Sequence, residues 1–302
     1  MECRLCPRRC PADRKNGERG FCGMTEEVFV ARAAPHFWEE PCISGTNGSG
    51  TVFFSGCNLR CVYCQNYKIA AGKAGKPMSL KELSETFLSL QEAGCHNINL
   101  VTPSHYAPQI AKALRLAQLK VPVVYNTSSY ECVETLKLLD GLVDIYLADF
   151  KYLDSGLAKK YSHAPDYPQT AKAALQEMVR QTGGAEYLSG TSVIRNATEY
   201  PDGALMKRGV IVRHLLLPGQ TAEAKRVLRY LYETYGDMIA ISILNQYTPL
   251  PHVAAYPELS RHIMDAEYEE AVDFAAELGI GHGFLQEGET ASESFIPEFA
   301  EK

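Results

Sequence analysis

Short apolar runs alternate along the chain with stretches whose apolar residues recur every three to four positions. The runs at 51–55, 97–101, 121–125, 143–148, 210–217 and 238–244 are mostly apolar on both faces, as strands buried in a parallel sheet require. Between them the helical period is clear. Ser79 and Glu82 form a capping box ahead of Leu80, Leu83, Phe87 and Leu90. Pro108 suits the first turn of a helix carrying Ile110, Ala113, Leu114 and Ala117. Val227, Leu228, Leu231 and Tyr235 repeat that spacing, as do Met264, Tyr268, Val272, Ala275 and Leu278, which Gly279 closes. This βα rhythm predicts an α/β fold, a partial barrel of six right-handed βα units, with chemistry in the loops after the strands' carboxyl ends. Residues 185–207 read as an insertion with an edge hairpin. The expected organisation is a cysteine-rich segment over 1–40 and the partial barrel with a C-terminal extension over 41–302.

Composition narrows the class. A chain of 302 residues with 46% hydrophobic and 22% charged residues can bury a large core, which excludes disordered and collagen-like classes. No stretch approaches the roughly 20 apolar residues that span a bilayer, and the first residues lack a signal peptide's apolar core, so the expectation is a cytoplasmic protein with no membrane partner. The net charge of −6 conceals an asymmetry: 258–302 holds 12 acidic against 2 basic residues, and 1–20 holds 6 basic against 3 acidic. The overall balance disfavours nucleic acid as a partner.

Ten cysteines without an export signal point to metal ligands rather than disulfides. Cys57, Cys61 and Cys64 stand as C-x3-C-x2-C directly after the first predicted barrel strand. A four-iron cluster normally takes four thiolates, so three leave one iron open to an outside ligand; zinc or core cysteines are the plain alternative. Cys3, Cys6, Cys10 and Cys22, among Pro7, Pro11, Gly17, Gly20 and Gly23, have the spacing of a closed four-thiolate site, either an auxiliary iron–sulfur cluster or structural zinc. Cys95, Cys132, Trp38, Phe284, Phe295 and Phe299 read as packing residues, with the C-terminal aromatics placed to cover the barrel mouth.

The triplet, with Tyr63 before its last cysteine, resembles the radical S-adenosylmethionine superfamily, and over about 41–247 the pattern is similar to the group related to pyruvate formate-lyase activating enzyme. The resemblance implies a radical-SAM-type barrel, a 4Fe-4S cluster on Cys57, Cys61 and Cys64, and S-adenosylmethionine chelating the open iron through its amino and carboxylate groups. It further implies one-electron cleavage of the sulfonium to a 5′-deoxyadenosyl radical that abstracts hydrogen, a flavodoxin- or ferredoxin-type reductant, and a glycyl-radical protein as partner. Other strand ends supply the remaining candidates for cofactor binding. Thr102-Pro103-Ser104-His105-Tyr106 stands where the activating enzymes carry a Gly-Gly-Glu segment, so Thr102 and Ser104 are left to make that contact without a carboxylate. Asn126 heads a polar segment suited to ribose or carboxylate groups. Asp149 and Lys151 resemble the family's Asp-Leu-Lys segment, share a strand face, and can bracket a zwitterion or simply pair with each other. Arg213 and His214 interrupt an apolar strand, and Arg213 fits a carboxylate clamp. Gln246 takes a place where the relatives often carry histidine. Three readings follow: an activase of a glycyl-radical protein, a radical enzyme acting on another peptide or a small metabolite, and a zinc-stabilised binding module without catalysis.

Overall fold

The computed structural model describes residues 2–72 and 74–286. Eleven strands form one sheet: β1 (Val28–His36), β2 (Ser49–Phe54), β3 (Lys76–Met78), β4 (Ile98–Val101), β5 (Val123–Thr127), β6 (Ile145–Asp149), β7 (Glu186–Ser189), β8 (Ser192–Arg195), β9 (Leu205–Leu215), β10 (Ala240–Leu244) and β11 (Gly283–Leu285). Their order is β11-β10-β9-β6-β5-β4-β2-β1-β3. From β2 to β11 every neighbouring pair is parallel. All six predicted barrel strands are present in that parallel run, and the two ends of the order do not pair, which leaves the barrel open on one flank.

Five long helices connect or flank these strands: α1 (Leu80–Glu92), α2 (Ala107–Ala117), α3 (Tyr167–Thr182), α4 (Thr221–Tyr235) and α5 (Asp265–Leu278). The capping box of α1 is formed in both directions, with Ser79 N–H donating to Glu82 at 2.8 Å and Glu82 N–H donating to Ser79 Oγ at 3.2 Å. Leu83, Phe87 and Leu90 face the core, as do Ile110, Ala113 and Leu114 of α2 and Val227, Leu228 and Leu231 of α4. In α5 the buried positions are Ala271 and Ala275, whereas Met264 is the exposed N-cap.

Three strands, β1, β3 and β11, escaped the pattern. Residues 28–36 form β1, antiparallel to β2, and β3 pairs on its far side, so the cysteine-rich segment runs directly into the main sheet. Its alternating burial is interrupted by a register shift near Val30 and by Pro35, which blurs the period of two. The hairpin β7–β8 lies within 185–207, and β7 also pairs antiparallel with β9.

The interior is filled by two large apolar clusters and a small third one of Phe53, Ile69, Ala74 and Val101. One cluster gathers Val124, Ile145, Leu147 and Ile211 with Cys42 and Ile43, which the chain delivers immediately after β1. The larger cluster lies between the sheet and its helices. Phe284 packs against the first of these, while Phe295 and Phe299 lie outside the described residues. Among the described residues no helix is long and apolar enough to cross a membrane.

Candidate active site

The carboxyl ends of the parallel strands surround a cavity of about 350 Å³. Cys57, Cys61, Cys64, Tyr63, Thr102, Ser104, Asn126, Asp149, Lys151 and Arg213, all singled out from the sequence, line it together. They come from the ends of β2, β4, β5, β6 and β9, so residues more than 150 positions apart share one wall because parallel strands all point their carboxyl ends the same way.

The loop after β2 turns sharply to present the three thiols. Gly56 has φ +88°, and a Cβ there would collide with Met24, with the Cys22 carbonyl oxygen at 2.8 Å and with His105 Nε2 at 3.1 Å, so glycine alone permits the approach. Leu59 N–H donates to Cys57 Sγ at 3.4 Å, and Cys64 N–H donates to the Cys61 carbonyl at 3.1 Å. Ser162 Oγ donates to Cys61 Sγ at 2.9 Å. A hydroxyl has a single hydrogen, so Ser162 must accept from Tyr152 (2.9 Å), and Tyr152 in turn accepts from Tyr63 (2.7 Å). Tyr63 is thereby tied into a directed chain that ends on a cysteine sulfur.

Burial pushes the Cys61 and Cys64 thiols up, and Lys151 works against that rise at both. Lys151 Nζ lies 2.8 Å from Asp149 Oδ2. Burial disfavours charge on either partner, yet Lys151 and Arg213 together hold Asp149 below the usual carboxylate range, and Asp149 holds Lys151 above its own. Arg213 is engaged on three sides: Nε donates to Asp149 Oδ1, Nη1 to Glu39 Oε2 and Nη2 to Asn126 Oδ1, all at 2.9 Å. Its carboxylate partners are thus the chain's own. His214, the next residue, points to the other face and bonds the Phe150 carbonyl at 2.7 Å. His105 sits in a single 3-10 turn ahead of α2, fully buried, with Nε2 on the Ser55 carbonyl at 2.7 Å.

Sequence reasoning missed several members of this wall. Glu39 reaches Arg213, Asn99 (3.1 Å) and Asn126 (3.2 Å) from the segment after β1. Trp38, read as packing, is instead 65% exposed and lines the cavity beside His36. Behind the lining, Ser162, Tyr152 and Glu131 lie within ordinary helical or loop sequence, and no spacing marks them.

The N-terminal cysteines gather beside the same loop. A Cβ on Gly20 would lie 3.3 Å from Cys10 Sγ and 3.9 Å from Cys22 Sγ. Phe21 N–H donates to Cys10 Sγ at 3.2 Å and Arg14 Nη1 to Cys3 Sγ at 3.8 Å. Burial raises Cys6 to about 12 and also raises Cys22; Cys3 and Cys22 add to the rise at Cys6, as Cys3 and Cys10 do at Cys22.

The family model described as "Radical SAM superfamily" matches residues 51–231. The chain belongs to the radical SAM superfamily. An uncharacterized protein of Methanocaldococcus jannaschii is 27% identical over 287 residues, covering 92% of this chain and 75% of its own length. Among solved structures, the FeFe-hydrogenase maturase HydG is similar at TM-score 0.52 and 15% identity, over 82% of this chain and 54% of its own. SuiB of Streptococcus suis, solved bound to S-adenosylmethionine, is similar at TM-score 0.52 and 13% identity, over 78% of this chain and 49% of its own. The chain thus spans about half the length of these two structures, and the likeness is one of fold.

The superfamily implies a 4Fe-4S cluster and S-adenosylmethionine. Among the described residues no group of three or more His, Cys, Asp or Glu side chains is drawn together around a single metal ion. A cluster is a wider guest, and the triplet suits it: three thiols on one wall, two of their sulfurs already accepting hydrogen bonds, and a cation at hand to offset thiolate charge.

Proposed function

We propose that this radical SAM enzyme cleaves S-adenosylmethionine reductively in the cavity at the strand ends and abstracts hydrogen from a glycyl-radical protein, as its sequence resemblance to the activating enzymes implies. The observation that carries the radical half is the convergence of Cys57, Cys61 and Cys64 with Asp149 and Lys151 on one cavity. Cys57, Cys61 and Cys64 hold the cluster, which supplies the electron when it and the cofactor are bound. The chain's own residues do the rest. Lys151 and Asp149 offer opposite charges 2.8 Å apart, a match for a zwitterionic amino acid moiety. Ser162 fixes the Cys61 sulfur by its hydrogen bond. Thr102 and Asn126 add polar groups, and buried Tyr63 and Phe53 close the wall against water.

The quartet of N-terminal cysteines is read as a second metal centre, an auxiliary iron–sulfur cluster in preference to zinc. Support comes from the two sulfurs flanking Gly20, the N–H donor on Cys10 and the cation beside Cys3. A flavodoxin- or ferredoxin-type protein is the proposed reductant. A second substrate reading is another peptide, or a small metabolite: the Thr102 to Tyr106 segment departs from the activating enzymes, and SuiB, of the same fold, is also solved with a precursor peptide.

Anaerobically reconstituted, dithionite-reduced protein is expected to convert S-adenosylmethionine to 5′-deoxyadenosine, and Cys61→Ala to abolish it; undiminished turnover in that variant overturns the assignment. Deuterium appearing in 5′-deoxyadenosine from a glycine-labelled glycyl-radical protein supports the first substrate reading, and transfer only from another labelled peptide or metabolite supports the second. Iron and sulfide counts on Cys10→Ala test the quartet: loss of iron and sulfide beyond the triplet's four irons is expected, and loss of zinc alone refutes an auxiliary cluster.

A further inference from the structure

Glu131 has no part in the chemistry described so far, yet it is 2% exposed and lies directly behind the cavity wall. Its Oε1 accepts hydrogen bonds from the hydroxyls of Ser104, of Thr127 (2.5 Å) and, at the limit of reach, of Tyr125 (3.5 Å). Its Oε2 is buried and has no hydrogen-bond partner among the described residues. No ion pair to Glu131 is found among the described residues. Burial raises it to about 7, a rise that the hydrogen bonds from Ser104 and Thr127 partly oppose.

Ser104 and Thr127 both line the cavity, one just beyond β4 and the other at the end of β5. Each hydroxyl carries one hydrogen, and Glu131 takes both. Their oxygens can therefore offer the cavity only lone pairs. Thr127 Oγ1 also accepts from Ser129 N–H at 3.2 Å, which pins it further. The wall is built to receive a hydrogen-bond donor and to refuse an acceptor. It also stands close to the cysteine loop, because His105, next to Ser104, bonds the Ser55 carbonyl two residues before Cys57.

We propose that Glu131 is a positioning residue that locks Ser104 and Thr127 as an acceptor pair for a hydrogen-bond-donating group of the bound S-adenosylmethionine. The inference rests on the cavity being the site of that cofactor. Glu131 thus supplies from the loop after β5, one hydrogen bond removed, the carboxylate that is absent between Thr102 and Tyr106.

The test is a double-mutant cycle read as equilibrium affinity for S-adenosylmethionine, by calorimetry on iron-loaded protein under anaerobic conditions. Glu131→Leu, which keeps much of the volume but removes the accepting oxygen, frees both hydroxyl hydrogens to turn toward the cavity and is expected to weaken binding about tenfold, as is the pair Ser104→Ala with Thr127→Val. In the background of that pair, Glu131→Leu is expected to add less than about twofold, because its effect passes through the two hydroxyls. A Glu131→Leu effect that persists undiminished in that background marks a general structural role and overturns the proposal, as does unchanged affinity in the hydroxyl variants. If Glu131→Leu does not fold, unchanged affinity in the hydroxyl variants still overturns the proposal. Wild-type protein that loads iron yet binds no S-adenosylmethionine overturns the cofactor reading itself, a result separable from failure of the wall.

Discussion

Thr102 adopts φ +58°, a left-handed conformation that a β-branched residue enters at a cost of about 1–3 kcal/mol. It persists because the Thr102 N–H is held by the Asn126 carbonyl at 3.0 Å and because β4 and Ser104 fix the chain on either side. Strain of this kind collects where a backbone must turn toward a ligand. Thr102→Gly should release it and raise stability by roughly 1 kcal/mol, after the glycine's greater freedom in the unfolded chain is counted. Denaturant unfolding checks the sign, and a loss of stability would mean that the threonine side chain contributes more than its backbone costs. At Cys61 the relevant neighbour is Ser162. Ser162→Ala removes the hydrogen bond to the sulfur and leaves Tyr152 without its acceptor, so the reduction potential of the loaded cluster should fall, as read by redox titration.

At the scale of elements, the N-terminal segment is bound to the cysteine loop by few but strong links. Arg8 donates to the carbonyls of Asn58 (2.8 Å), Ser162 (3.0 Å) and His163, while its guanidinium lies 4.0 Å from the centre of the Phe21 ring. Arg14 joins the Met24 (3.1 Å), Thr25 (2.5 Å) and His105 (2.8 Å) carbonyls. Only a planar, multi-donor cation can satisfy so many acceptors at once. Arg8→Ala is therefore expected to cost about 2 kcal/mol and to loosen the triplet's loop, seen as faster iron loss to a chelator; Arg8→Lys should recover only part of either. Gly56 closes the same junction, since its missing Cβ lets Cys22 and Met24 reach the loop. The approach of the two cysteine groups is thus a property of the packing between elements.

For the whole molecule, buried titratable groups set the response to pH. Burial lowers His105 to about 3 and His214 to about 4, against an unfolded value near 6.5. As pH falls below 6.5 the unfolded chain binds protons that the folded one refuses, so the stability these residues contribute is lost progressively down to their folded values. Glu131, raised to about 7, acts in the opposite sense: the unfolded carboxyl ionises first, and stability falls as pH rises from about 4.5 to 7. Between pH 5.5 and 6.5 the lowered histidines, with His36, His96, His252 and His282 besides these two, outnumber the raised carboxyls Glu131, Glu40 and Asp144, so stability should rise with pH across that unit. Urea unfolding at the two values checks it, and a flat or falling profile would contradict the assigned protonation states.

What the amino-acid order determined alone is local and periodic. Apolar runs and capping signals place the six barrel strands and four of the long helices, because a buried strand or an amphipathic face writes its period into neighbouring residues. The C-x3-C-x2-C triplet is legible for the same reason, its ligands lying within one turn of chain. Tertiary structure decided everything that depends on distant segments meeting. It set Glu39 against Arg213, Ser162 beside Cys61 and Glu131 behind Ser104 and Thr127, and it exposed Trp38 at the cavity rather than burying it. Strand β1 belongs with these, since its pairing partner β2, rather than its own period, makes it a strand. Contacts across a fold follow from how elements pack, and packing leaves no regular spacing in the chain by which it could be read beforehand.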